Sequence, residues 1–212
     1  MTQITKIEKA SRNKPLYHVY SGDALLFTIT EETLLHFWLA KGKEFSDAQL
    51  REIFEFDRVQ RCVQQALRYL SRRGHFALEL KRKLQAKGYE TQIIEQAISY
   101  LRQKGYLNDV QLTTQFIHDG IQLKKYGPLL LKKKLLEKGA PRDSIEMLLQ
   151  EMYSPEKQKA LARELFQKKF RTLSRQLPPA KQRQKIAAFL QQRGFTWDVI
   201  QPLLDELPAE EP

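Results

Sequence analysis

The residues best suited to chemistry in this chain are its cations, and their spacing repeats. Lys81-Arg82-Lys83 and Lys132-Lys133-Lys134 stand 51 positions apart. Arg72-Arg73, Lys124-Lys125, Lys168-Lys169 with Arg171, and Lys181, Arg183 and Lys185 complete the basic set. Ammonium and guanidinium groups at this density bind phosphate or carboxylate oxygens through charge-assisted hydrogen bonds. Any single cluster reads as a solvated helix face, but a triplet that recurs at one place in a repeat draws a stripe along one side.

No catalytic group accompanies these cations in the sequence. His18, His36, His75 and His118 are scattered without an HxxxH pattern or a Cys/His partner, so neither a metal nor a cofactor is expected. Cys62 lies in a helical stretch with no base beside it and reads as a small buried side chain. The chain has no glycine-rich phosphate loop, no GxSxG and no carboxylate pair of catalytic type. Glu31-Glu32 fits a helix N-terminus and Glu210-Glu211 a frayed acidic tail. The expectation is a binding protein and not an enzyme.

The net charge of +11 over 212 residues points to nucleic acid, an anionic membrane or an acidic protein face as partner. Residues 1–58 carry 8 Lys/Arg against 9 Asp/Glu, and residues 59–212 carry 28 against 16, so the whole positive excess sits after the first quarter. One cysteine allows no internal disulfide and fits a reducing compartment. The polar start MTQITKIEKASRNK has no secretory core, and no run approaches the ~20 apolar residues of a membrane span. A soluble, cytoplasmic monomer with no membrane contact is expected.

The elements that must position the cations are helices with a common punctuation. Aligned on Gly88, Gly139 and Gly194, the leucines four residues earlier (Leu84, Leu135, Leu190) and the isoleucines six residues later (Ile94, Ile145, Ile200) coincide, with Leu101, Met152 and Leu207 thirteen after. These apolar positions are core and the glycines are helix stops. The pattern predicts a mainly α fold of tandem three-helix repeats, forming an elongated, curved array of several tens of Å from helices roughly 20 Å long. Repeat 1 covers residues 56–107, repeat 2 residues 108–153 and repeat 3, with the acidic tail, residues 154–212.

Residues 1–55 precede the repeats as a β-hairpin and helix extension. LYHVY at 16–20 and ALLFTIT at 24–30 flank Ser21-Gly22-Asp23, a turn in which Gly22 supplies a positive φ. Glu31 to Ala40 reads as a short helix, and Ser46 with Gln49 as a capping box opening one long or two bent helices from Asp47 to Arg73. Thr91 and Asn108 are expected caps further on, and Pro128 a first-turn residue.

Two chemical refinements follow. Base stacking needs exposed aromatics beside cations, and only Tyr126 next to Lys124-Lys125 qualifies. Reading of the major groove by the third helix of a repeat is disfavoured, because Thr91 to Gln103 and Arg142 to Met152 carry one arginine each.

A set of residues in the first two repeats also resembles the RecX family of bacterial recombination regulators. It comprises Ala66-Leu67 with Leu70, Glu79-Leu80, Leu84 to Gly88, Ile94, the string Gly105-Tyr106-Leu107-Asn108-Asp109 with Phe116, and then Gly127, Leu135 and Gly139. The hairpin and Gly42-Lys43-Glu44 are similar to the longer, Gram-positive-type members. Departures are His75-Phe76-Ala77 where the family often has a Ser/Thr cap, lysine for arginine in the middle repeat, and a third repeat recognisable chiefly by its Gly194 frame.

The resemblance implies a non-enzymatic modulator of the RecA recombinase in homologous recombination, DNA repair and the SOS response. Such proteins bind the groove of the RecA filament on single-stranded DNA and hinder its growth, ATPase, strand exchange and coprotease action. The alternative reading is a protein that acts mainly through electrostatic contact with single- or double-stranded DNA itself, with affinity falling steeply with salt.

Overall fold

The fold is described from a computed structural model that places residues 1–11, 14–173 and 177–207; Glu210-Glu211 lie outside the described residues. By Cα packing the chain falls into two compact units, residues 1–75 with 79–107 and residues 76–78 with 108–212.

The first unit opens on β1 (Thr2–Gln3), β2 (Lys6–Ser11), β3 (Lys14–Ser21) and β4 (Ala24–Thr30). The expected hairpin is β3–β4, paired from Leu16↔Thr30 to Ser21↔Ala24 around Gly22 at φ +60°. Beyond that hairpin, β2 adds an antiparallel third strand with Ile7 opposite Val19, and β1 pairs with β5 (Glu44–Phe45). Local β propensity in KIEKAS is low, so its strand depends on hydrogen bonds offered by the edge of β3. Val19, Phe27 and Ile29 face Ile53 in a core closed by Ile4, Leu39 and Phe45.

Helix α1 covers Glu31–His36 and stops short of the expected Ala40. Trp38 takes a left-handed φ of +49°, and the Lys43 ammonium donates to the carbonyls of Phe37 and Trp38 at 2.7 and 3.3 Å, closing the helix end. Helix α2 is a single helix, Asp47–Leu70, opened by the Ser46/Gln49 capping box and running unbroken through position 56. Buried Asp57 fastens it to the β region. Its carboxylate accepts from the Thr30 amide at 2.7 Å, the Thr33 hydroxyl at 2.9 Å and Arg61 Nε at 2.6 Å, and Arg61 reaches on to the Thr28 carbonyl.

The remaining helices are α3 (Ala77–Gln85), α4 (Thr91–Gln103), α5 (Asp109–Gln122), α6 (Pro128–Lys138), α7 (Arg142–Met152), α8 (Pro155–Leu173), α9 (Pro179–Gln192) and α10 (Trp197–Asp205). The three aligned glycines are left-handed, at φ +86°, +86° and +85°. The residue after each donates its amide to the aligned leucine: Tyr89 to Leu84, Ala140 to Leu135 and Phe195 to Leu190. That bond closes the second helix of every repeat in the same way. Asn108 caps α5 through the Gln111 amide as expected, and Pro128 sits in the first turn of α6.

Thr91 does not cap α4. Glu90 holds the N-cap position without a side-chain bond, and Pro141 and Thr196 do the same for α7 and α10. The preceding turn and the buried residues after it set these starts, so a side-chain cap is dispensable.

In the first unit α2 packs on α4, with Val63, Ala66, Leu84, Ile94, Ile98 and Leu101 all buried. Among the described residues of the second unit, Phe76, Ile117, Leu135, Ala140, Ile145 and Leu148 form one apolar cluster, and another gathers Leu131 with Phe166, Ile186, Leu190, Phe195 and Ile200. Each such leucine or isoleucine contributes about 1.5–3 kcal/mol on full burial. Glycine permits the closest approaches. A Cβ on Gly139 would lie 2.6 Å from Leu78 Cβ, and one on Gly194 would strike the Leu130 backbone, whereas one on Gly88 would meet nothing within 4 Å.

Candidate partner-binding surface

The two basic triplets stand on α3 and α6, each just before the buried leucine of the helix. Helical geometry gives the three residues of a triplet three different directions, and the two triplets divide alike. Lys81 bonds Glu95 of α4 at 2.5 Å, and Lys132 bonds Glu146 of α7 at 2.6 Å. The Lys132 ammonium holds the Glu146 carboxyl below the usual carboxylate range, first by hydrogen bond and then by charge. Lys83 lies over the Tyr69 ring at 5.2 Å, and Lys134 over the Tyr126 ring at 5.4 Å. The middle residues, Arg82 and Lys133, are exposed and form no ion pair among the described residues.

The other predicted cations divide in the same manner. Arg73 is bound by Glu79, Lys125 by Glu164 at 3.4 Å and Arg183 by Asp205 at 3.0 Å, while Lys169 covers the Phe189 ring at 5.4 Å. Arg72, Lys124, Lys168, Arg171, Lys181 and Lys185 are exposed and without an ion pair among the described residues. Repeat 3 has no counterpart of the Lys132–Glu146 pair, since Ala187 and Gln201 occupy the two places.

Tyr126 is not the open stacking platform the sequence suggested. It packs against the apolar cluster of the second unit, and Lys134 covers its ring. The structure instead brings Lys124, Tyr126 and Lys134 together around one groove with Lys138, a cation absent from the predicted set. A signal for Lys138 was present, because it follows Lys134 by four residues and so shares its helix face. Arg193 was missed as well; its guanidinium donates to the Lys124 carbonyl at 2.8 Å, and no local pattern reports a contact between residues 69 apart.

Cys62 is fully buried and its thiol is pushed up to about 11 by burial, far from the range of a reactive thiolate. Among the described residues no group of three His, Cys, Asp or Glu side chains could hold a metal ion. No described helix is long and apolar enough to cross a membrane.

Two segments of the chain match known three-helix domains. Residues 62–101 match the description "RecX, first three-helix domain" and residues 156–204 "RecX, third three-helix domain". The regulatory protein RecX of Lactococcus lactis subsp. cremoris is 33% identical over 99% of this chain and 78% of its own length. The chain belongs to the RecX family.

A RecX protein of Bacillus cytotoxicus is 32% identical with the same coverage. A crystal structure titled regulatory protein RecX superposes with a TM-score of 0.80 at 27% identity, covering 97% of this chain and 100% of that one. The likeness therefore includes the β strands of the first unit as well as the repeats. It also extends to repeat 3, which carries little of the sequence resemblance beyond its Gly194 frame yet matches a RecX domain of its own.

Proposed function

We propose that this chain is a binding regulator of the RecA recombinase, acting on the nucleoprotein filament and lowering its ATPase, strand-exchange and coprotease activities. The observation that carries the proposal is the likeness, over nearly the whole of this chain, to proteins named regulatory protein RecX, joined to a net charge of +11. In this reading Arg82 and Lys133 meet the filament first, because their neighbours on either side are already engaged within the repeat. Exposed Arg72, Lys124, Lys168, Arg171, Lys181 and Lys185 extend the contact. The protein acts in the cytoplasm, as a monomer, beside DNA.

The positive excess after residue 58 supports a second reading, in which DNA itself is the main partner. One titration separates the two. Binding at physiological salt is measured to a bare single strand and to the same strand coated with RecA, together with RecA ATPase. Tighter binding to the coated strand with a lowered ATPase is expected. Equal or tighter binding to the bare strand, with ATPase untouched, sinks the first reading.

A further inference from the structure

A groove of about 530 Å³ opens in the second unit beside the end of α5, the loop that follows it, and α6. Its apolar lining includes Phe116 and Tyr126, both also packed into the core. Three ammoniums rim it. Lys134 stands over Tyr126 at 5.4 Å, Lys138 over Phe116 at 5.7 Å, and Lys124 is exposed at one end. None of the three has a carboxylate within 4 Å among the described residues, although Asp119 and Glu137 line the same groove.

The loop at this rim is held in an uncommon conformation. Lys125 has a left-handed φ of +55°, which side chains other than glycine's seldom adopt. Three bonds hold it there: Tyr126 N–H to the Gly120 carbonyl at 2.9 Å, Arg193 to the Lys124 carbonyl at 2.8 Å, and Lys125 to Glu164 at 3.4 Å. Lys125 is thus drawn to Glu164 while Lys124 and Tyr126 on either side of it line the groove. Backbone strain that the surroundings over-determine concentrates at binding sites.

We infer that this groove docks a short acidic segment of a partner protein, with one apolar side chain against the groove's apolar lining and flanking carboxylates on Lys124, Lys134 and Lys138. The chemistry favours a peptide over a nucleic acid strand. Lys134 and Lys138 already stand over the Tyr126 and Phe116 rings, so a base would have to displace an ammonium to stack there. Asp119 and Glu137 can accept peptide N–H groups, donors that a sugar–phosphate backbone lacks. Carboxylates of the segment meet ammoniums that have no carboxylate within 4 Å among the described residues, and charge complementarity of this kind sets register and specificity.

The inference rests on the reading of the chain as a regulator that works through a protein partner, and its test needs neither recombinase nor DNA. The full chain is titrated by fluorescence anisotropy against a short labelled peptide of aspartates and glutamates around one phenylalanine, and against a labelled oligothymidine. Lys124→Glu with Lys138→Glu is expected to weaken peptide binding by about tenfold or more. Lys124→Gln with Lys138→Gln, checked for native thermal unfolding, should weaken it in the same direction. Lys41→Glu with Lys87→Glu, the same change of net charge at exposed positions of the first unit, should leave it within about twofold. Absent peptide binding, equal loss in the control, or an oligothymidine that competes for the groove overturns the assignment. Failure here leaves the recombinase titration to stand or fall alone.

Discussion

Gly127 and Gly194 meet backbone to backbone in the second unit. The Gly127 amide donates to the Arg193 carbonyl at 2.6 Å, the Leu129 amide donates to the Gly194 carbonyl at 3.0 Å, and a Cβ on either glycine would enter the other segment's backbone. The start of α6 is thereby fixed against the turn between α9 and α10.

The aligned glycines should therefore differ in cost when a methyl is added. Gly88→Ala meets open space and pays only for the left-handed backbone, about 1–2 kcal/mol. Gly194→Ala bears that strain and a clash with Leu130 besides, which adds about 1–3 kcal/mol. Urea unfolding of the two variants measures the difference, and equal midpoints would mean the close approach has no energetic weight.

The division of each basic triplet predicts two kinds of lysine. Arg82→Glu and Lys133→Glu should lower affinity for the RecA-coated strand by about tenfold each, by removing a cation and placing a like charge, while thermal unfolding stays unchanged. Lys132→Glu brings two carboxylates together at Glu146 and should lower the unfolding midpoint, with Glu146→Lys in the same chain restoring it. If Lys133→Glu leaves filament affinity unaltered, the middle residues are not the contact.

Cys62 should be silent toward thiol reagents in the native protein. It is fully buried and its thiol titrates at about 11, so at about pH 8, near the value of a free thiol, almost none is thiolate. Reaction with an aromatic disulfide is expected only at the rate at which α2 opens, and at full speed in denaturant. Prompt labelling without denaturant would contradict the packing of α2 on α4.

His75 gives the first unit a pH dependence. It is buried with Nδ1 donating to the Arg73 carbonyl at 2.9 Å, and burial lowers its pKa below the ordinary imidazole range. The unfolded chain then binds the proton more readily, so this contribution is fully present above about pH 6.5 and is lost as pH falls from there toward the folded value. Chemical unfolding followed from about pH 7 to about pH 5 should show declining stability with a shallower decline in His75→Gln. A profile that His75→Gln leaves unchanged rules out the assignment.

Much of the helical framework was legible because its signals are local. Glycine stops at 88, 139 and 194, the capping pairs at Ser46 and Asn108, and the leucine and isoleucine spacing all act within a few residues, and each appears as expected. The strand β2 and the shortened α1 were not legible, because a neighbouring strand and the Lys43 ammonium, beyond the helix end, decide them. Among the cations, sequence could locate the clusters but not divide them.

That division marks the line between sequence and tertiary structure. The sequence alone determined that the chain repeats a three-helix motif, that its excess charge is positive and lies after residue 58, and that the triplets precede equivalent leucines. Only the packed structure decided that Lys81 and Lys132 pair with Glu95 and Glu146, that Arg82 and Lys133 form no ion pair among the described residues, and that Lys138 joins Lys124 and Lys134 around a groove. Charge and periodicity are properties of the chain. Whether an ammonium finds a carboxylate depends on which helix face meets which neighbour, and that is set by side chains many residues away.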